Sequence, residues 1–430
     1  MSIAADDARS GDGALSRQDV RTLTLASLGG ALEFYDFVVF VFFTAVIAKL
    51  FFPPDMPEWL AMAQTYGLFA AGYLARPLGG IVMAHFGDLI GRKRMFVFSV
   101  LLMALPTLLI GLMPTYQTIG IAAPLLLLVF RILQGAAIGG EAPGAWVFVA
   151  EHVPHNRVGL ACGMLTGGLT LGIMMGSLMS LFINAVFPPE DILDWAWRIP
   201  FLTGGALGLV AMYLRRYLHE TPVFEAMRAR AEVSRRLPLG IVLTAHRPAV
   251  IRSVIASWML TAAIVVLILL TPTLLPSLHP DTKAGMPLAG VAATFTLTIS
   301  AVLMGVALDR FGLRPVMAAA GIGLIAGSYL LYAGAAARPD LLLPLYAVAG
   351  LTVGAVSIVP YMMVHAFPPE VRFSGVSFSY NLAYAVFGAA TPPFMSYAAT
   401  LDPLSPAHYV AIMAVVGGLV VAATPQRLPA

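Results

Sequence analysis

The sequence predicts an all-α polytopic membrane protein with twelve transmembrane helices in two six-helix bundles, on three observations. Of its 430 residues 59% are hydrophobic and only 11% are charged, with a mean hydropathy of +0.86, where a soluble domain carries about 25% charge. Apolar runs near ~20 residues, the length that crosses a bilayer as a helix, recur along the whole chain. The second half repeats charged motifs of the first at about half the chain length, Asp309 answering Asp88 and Arg372 answering Arg157, which is the mark of an internal repeat.

The spans are expected at 23–50, 58–86, 95–113, 119–150, 158–187, 197–218, 250–278, 288–308, 315–337, 341–366, 374–400 and 407–424. Residues 1–22 are polar and lack the basic start and short apolar core of a cleavable signal, so they read as a tail on the cytoplasmic side. The first span carries two carboxylates, Glu33 and Asp36, three residues apart and so on one side of a helix. A charge at mid-membrane costs about 2.5–3.5 kcal/mol on insertion scales, so such a carboxyl faces a partner or a cavity and is a candidate for carrying a proton. Arg76 comes late in the second span, and the loop Asp88-Leu89-Ile90-Gly91-Arg92-Lys93 follows it. The fourth span holds Arg131, Gln134 and Glu141, then leads through Glu151 to Arg157. Gly163, Gly167, Gly172 and Gly176 recur along the fifth span and are expected to let another helix approach closely.

After the sixth span the longest polar interruption, 219–249, is basic and contains Pro222, Pro238 and Pro248. It divides a bundle over 23–218 from one over 250–424, with 425–430 as a short tail. In the second bundle Asp309, Arg310 and Arg314 follow span eight, and His365 ends span ten ahead of Arg372. Span eleven carries Tyr380, Asn381 and Tyr384 within about one turn. Lys and Arg collect on the side that holds both termini, with Lys49, Arg198, Lys283 and Arg338 opposite. That bias puts both termini in the cytoplasm and suits a bacterial inner membrane. The net charge of +3 reflects this topology and implies no nucleic acid. The single cysteine, Cys162, excludes an internal disulfide.

On these residues the chain resembles the major facilitator superfamily over essentially its whole length. The Asp88–Lys93 loop resembles the superfamily's signature, with a degenerate copy at Asp309. Glu33–Phe37, Ala75–Gly80, Arg131–Gly135, Gly139–Glu141, Trp197–Phe201 and Glu220–Phe224 resemble the metabolite–proton symporter family, whose members carry citrate, 2-oxoglutarate, shikimate or proline and betaine. Ala84, Leu89 and His365 depart from that pattern, the last removing an acid from the second-half gate. Span five lacks the Gly-Pro pair of drug antiporters, which argues against export. The resemblance implies a gating role for Asp88, Arg92 and Lys93.

Depth along the helices sorts the buried charges. Arg131 lies about 12 Å into the hydrocarbon, level with Glu33 and Asp36, and Glu141 about 15 Å deeper, near Arg76. The expectation is therefore a midplane layer of Glu33, Asp36 and Arg131 and an inner, structural pair of Arg76 and Glu141. Asp36 or Glu33 would carry the proton. Arg131, with Gln134, Tyr380, Asn381 and Tyr384, would bind substrate, because a guanidinium stays charged and matches a carboxylate in a bidentate fork. Glu151, Arg157, Asp309, Arg310, Arg314 and Arg372 are expected to be structural or gating charges. No Ser, Cys or His joins the midplane layer, so a membrane enzyme is disfavoured. No metal spacing is present among the histidines, and no cofactor beyond the coupling proton is implied. The reading is a monomeric, proton-coupled importer of a small organic anion such as a di- or tricarboxylate, the alternative being a zwitterion such as betaine or an amino acid.

Overall fold

The computed structural model describes residues 15–90, 92–215 and 238–424, with the side chains of 84–97, 214–215 and 238 outside that description. Twelve long helical segments follow in order: α1 (Arg17–Phe42), α2 (Glu58–Ile90), α3 (Arg92–Leu112), α4 (Ala122–His152), α5 (Val158–Val186) and α6 (Arg198–Arg215). The second set is α7 (Arg247–Leu278), α8 (Met286–Phe311), α9 (Leu313–Ala337), α10 (Pro339–Ala366), α11 (369–401) and α12 (Ser405–Ala422). By length and composition, eight of them can cross a membrane among the described residues. The interruption expected over 219–249 is already helical at Pro238–Ala245.

Local chemistry sets the helix ends. Ser16 opens α1 with a capping box: its hydroxyl accepts from the Asp19 amide at 3.1 Å, and its amide donates to the Asp19 carboxylate at 2.9 Å. Phe43 leaves helical geometry, and the chain resumes as a short helix over Thr44–Phe51. Between α8 and α9, Gly312 turns the chain at φ +80°, a conformation other residues rarely adopt. Both α7 and α11 contain a π-helical stretch, Ala263–Leu270 and Tyr384–Gly388. Such stretches misalign one turn of the ladder and often mark functional sites.

The glycines of α5 are divided between two neighbours. Gly159 and Gly163 meet Gly305 of α8, whereas Gly168 and Gly172 meet Ser27 and Ala31 of α1. One helix thus serves both as the core of the first bundle and as a seam with the second. The other seam is made by α2 and α4 against α11. A shift of six spans maps the pair α2 and α11 onto α8 and α5, so the two seams are related by the internal repeat.

Contacts cross the seams at several depths. At the end where α1 begins, Glu151 pairs with Arg372 at 3.5 Å, and Asp309 accepts from the Gly159 and Leu160 amides at 2.6 and 2.8 Å. The N-terminus of α5 exposes unpaired amides with a partial positive charge, which a carboxylate satisfies. Midway, Asn381 donates to the Gly139 carbonyl at 2.5 Å and Thr170 to Thr298 at 3.2 Å. Towards the opposite end the Tyr66 and Thr273 hydroxyls lie 3.1 Å apart.

A Cβ at Gly163 would sit 2.8 Å from the Gly305 Cα and 2.9 Å from the Ala301 carbonyl, whereas one at Gly418 would meet nothing within 4 Å. Gly163→Leu should therefore destabilise the detergent-purified protein by about 1–3 kcal/mol, the usual cost of overpacking, and Gly418→Leu should leave it unchanged. Thermal unfolding monitored by intrinsic fluorescence checks the contrast.

Candidate functional site

The centre of the molecule is built on a close crossing of α2 and α4. A Cβ at Gly135 would collide with the Gly72 backbone, one at Gly79 with Ala136, and one at Gly139 with the Arg76 backbone. With that stripe of α2 against α4, the adjoining stripe, Tyr73, Arg76 and Gly80, is presented to α11. Gly80 leaves room for Asn381 and Ser377, and Tyr73 packs on Tyr384 with ring centroids 5.3 Å apart.

Arg76 is fully buried there, and its three guanidinium nitrogens carry no hydrogen bond among the described residues. Four aromatic rings surround it instead. Its Cζ lies 4.3 Å from the Tyr384 centroid, 5.2 Å from Tyr380, 5.5 Å from Tyr73 and 5.8 Å from Phe37. Cation–π contacts of this kind contribute about 0.5–2 kcal/mol each, while desolvating an ion costs several kcal/mol. The guanidinium is thus partly compensated, retains all its donors, and touches both bundles at once.

Among the described residues no hydrogen bond or ion pair joins Arg76 to Glu141, contrary to expectation. Glu141 instead accepts from Ser99 of α3 at 3.2 Å. The reason is azimuth: at about 100° per residue, Glu141 is rotated roughly 200° from Gly139, which faces α2. Nor is Arg76 confined to an inner layer. It lies near the middle of a helix that runs to Ile90 and shares the Phe37 ring with Arg131.

Arg131 is equally buried but belongs to the first bundle alone. It donates to the Phe37 carbonyl at 3.2 Å and to Gln134 at 2.8 Å, and Gln134 donates to Thr107 at 2.7 Å. Its Cζ sits 4.4 Å from the Phe40 ring, 4.6 Å from Phe37 and 5.4 Å from Phe69. Arg131 and Gln134 therefore form a brace joining α1, α3 and α4, and the contacts of the guanidinium do not include Asp36.

Asp36 is 1% exposed and faces α6, where a Cβ at Gly204 would fall 2.5 Å from its Oδ1. Neither oxygen is hydrogen-bonded among the described residues, so no such bond would have to break for this carboxyl to gain or lose a proton. Its neighbour Tyr35 anchors the same face by donating to the Pro200 carbonyl at 2.9 Å. Glu33 is also buried, one turn nearer the start of α1. Phe37 follows Asp36 directly, so movement of this stretch is felt at both arginines.

The structure brings Tyr380 and Tyr384 to Arg76 and sets Asn381 beside them, against α4. Two cage members escaped the sequence reading. Tyr73 stands three residues before Arg76, so a search for aromatic residues one turn from each buried cation would have found it; Phe37 lay inside the Glu33–Phe37 motif but reaches Arg76 from another helix, which spacing along the chain does not reveal. Of the remaining charges, Arg314 donates to the carbonyls of Ala422 and Thr424 at 3.1 and 3.0 Å, tying α9 to the end of α12. Arg310 lies 5.2 Å from the Phe311 ring, and Arg157 acts on Asp309 electrostatically. Asp88, Arg92 and Lys93, expected to gate, have side chains outside the described residues.

Residues 26–298 match the Major Facilitator Superfamily. The chain is 33% identical over 403 residues to a citrate-proton symporter of Klebsiella pneumoniae, covering 90% of this chain and 88% of that one. It is 31% identical over 425 residues to a proline/betaine transporter of Salmonella typhimurium, covering 92% and 81%. Among solved structures, a partially occluded, inward-open xylose transporter XylE from E. coli is similar at a TM-score of 0.72 with 17% identity, covering 94% of this chain and 97% of that one. The match to the family, at this length and identity, makes the chain a member of the major facilitator superfamily.

Proposed function

We propose that the protein is a proton-coupled symporter that imports a small organic acid by alternating access, with Arg76 receiving the substrate carboxylate. The observation that carries this reading is the buried guanidinium of Arg76, without a hydrogen bond among the described residues and held by rings from both bundles. A carboxylate can take two parallel hydrogen bonds from such a group. Because the rings come from both bundles, the bound anion draws the halves together, and either seam can then open. Arg131, which the sequence offered for this role, is assigned to bracing the first bundle.

Asp36 is assigned the coupled proton. Ionised, its charge opposes entry of a second anion into the same low-dielectric region; protonated, it does not. Proton and anion therefore load together, and the empty and doubly loaded forms are the ones that reorient. The excess of Lys and Arg on the side of the termini orients that side to the cytoplasm, which suits a bacterial inner-membrane protein working as a monomer. The roles assigned involve binding and proton exchange with no bond made in the substrate, so no enzymatic step is included. A zwitterionic substrate is the second reading, favoured by the rings of Tyr73, Tyr380 and Tyr384, whose faces also attract an ammonium group.

An inward proton gradient should drive accumulation of the transported acid in proteoliposomes, and a protonophore should abolish it. Accumulation that survives the protonophore would disprove the coupling.

Arg76→Lys keeps the charge but loses the fork and should weaken substrate binding by about 1.5–3 kcal/mol, the range for a hydrogen bond to a charged group. Arg131→Lys should act mainly on thermal stability. Asp36→Asn imitates the protonated acid, so it should still exchange substrate in counterflow yet fail to concentrate it. Measuring both modes on the three variants tests the assignment, with Glu33→Gln in reserve for the choice between the two carboxyls of α1.

A further inference from the structure

Beside the Arg76 cage lies a second orphaned polar group, of opposite sense. Asn381 is fully buried on α11, next to Tyr380. Its amide nitrogen donates to the Gly139 carbonyl at 2.5 Å and to the Ser377 hydroxyl at 3.2 Å. Its carbonyl oxygen Oδ1 accepts nothing among the described residues. The orientation of the amide is fixed by this surrounding, because turning it over would set two carbonyl oxygens against each other. Gly80, the residue that makes room for the amide, is one helical turn from Arg76 on α2. Arg76 has donors without acceptors and Asn381 has an acceptor without a donor, yet the two do not bond. A third group that offers an acceptor to Arg76 and a donor to Asn381 would satisfy both.

We infer that Asn381 sets specificity, selecting carboxylates that also carry a hydrogen-bond donor, a hydroxyl or a protonated amine, within a few bonds of the carboxylate. This rests on the proposal that Arg76 binds the substrate carboxylate. A polar site that hydrogen-bonds its ligand discriminates strongly against an analogue lacking the donor, because the buried acceptor is then left bare. Loss of the donor leaves the Arg76 contact untouched. A quaternary ammonium has no N–H to offer, so fully methylated betaines fall on the disfavoured side even though the rings would attract their charge. The amide also spans the seam: the nitrogen that holds Gly139 and the oxygen that meets the ligand belong to one rigid group. A ligand on Oδ1 therefore bears directly on a contact between the bundles.

Two matched pairs test this on the purified full-length protein, one for each substrate class. Citrate differs from tricarballylate by one hydroxyl, and proline differs from N,N-dimethylproline by its N–H groups. Binding is read by calorimetry on wild type, Asn381→Leu and Asn381→Ala, with thermal unfolding reporting whether each variant is folded. In the pair that binds, the donor-bearing member should bind wild type at least about tenfold more tightly, given the discrimination such sites achieve. In the variants that preference should shrink to within about threefold, which also removes any share owed to the bulk of the added methyl groups. Wild type binding both members equally, with Arg76→Gln abolishing both, would overturn the inference and leave the anion site standing. A preference undiminished in both variants would overturn it as well. Failure of all four carboxylates to bind wild type would overturn the anion reading and this inference with it. Should neither variant fold, the wild-type comparison within each pair still decides.

Discussion

A guanidinium buried with no carboxylate partner among the described residues is the constraint on which the rest of this structure depends. Removing Arg76 from water costs several kcal/mol, and the protein offsets part of that with four ring faces rather than with a carboxylate. Rings attract a cation without consuming its hydrogen-bond donors. The charge is therefore tolerated while its donors stay available, a condition an ion pair with Glu141 would have destroyed. Tyr380 and Tyr384 reach the cage only if α11 lies along α2, so the same compensation also holds the bundles in register.

The glycines make that arrangement sterically possible. Gly72, Gly79, Gly135 and Gly139 let α2 and α4 meet at backbone distance, which turns Arg76 outward to the seam and Gln134 and Glu141 towards α3. With little apolar driving force between helices inside a bilayer, such close packing and interhelical hydrogen bonds supply much of the association energy. Arg131 contributes to the second of these. Through Phe37 and Gln134 it joins three helices of one bundle.

The two bundles are joined unevenly along their length. At one end Asp309 caps α5 and Glu151 meets Arg372. The matching contact of the repeat would need an acid at His365, where the chain carries an imidazole whose Nδ1 is held at 2.8 Å from the Tyr361 carbonyl. Among the described residues the carboxylate–arginine pair at that end, Glu151 with Arg372, thus has no acid at the position that repeats Glu151, although the helices around it repeat. Towards the opposite end, a hydroxyl pair between Tyr66 and Thr273 is the weaker kind of contact.

Much of the fold was legible in the sequence, because a bilayer demands about 20 apolar residues per crossing and tolerates few charges. The twelve spans, the repeat and the unusual buried residues Glu33, Asp36, Arg76, Arg131 and Glu141 all stand out against that background. Counting residues along a span yields depth at about 1.5 Å each, and depth alone grouped Arg76 with Glu141 and Arg131 with Asp36. What depth cannot supply is the direction in which each side chain leaves its helix relative to a neighbour. That direction depends on which stripe of α2 faces α4, and the glycine crossing that decides it involves residues 57 to 63 positions apart. Only the packed structure therefore turned Glu141 to Ser99, Asp36 to the glycines of α6, Arg131 into a brace and Arg76 into the aromatic cage between the bundles.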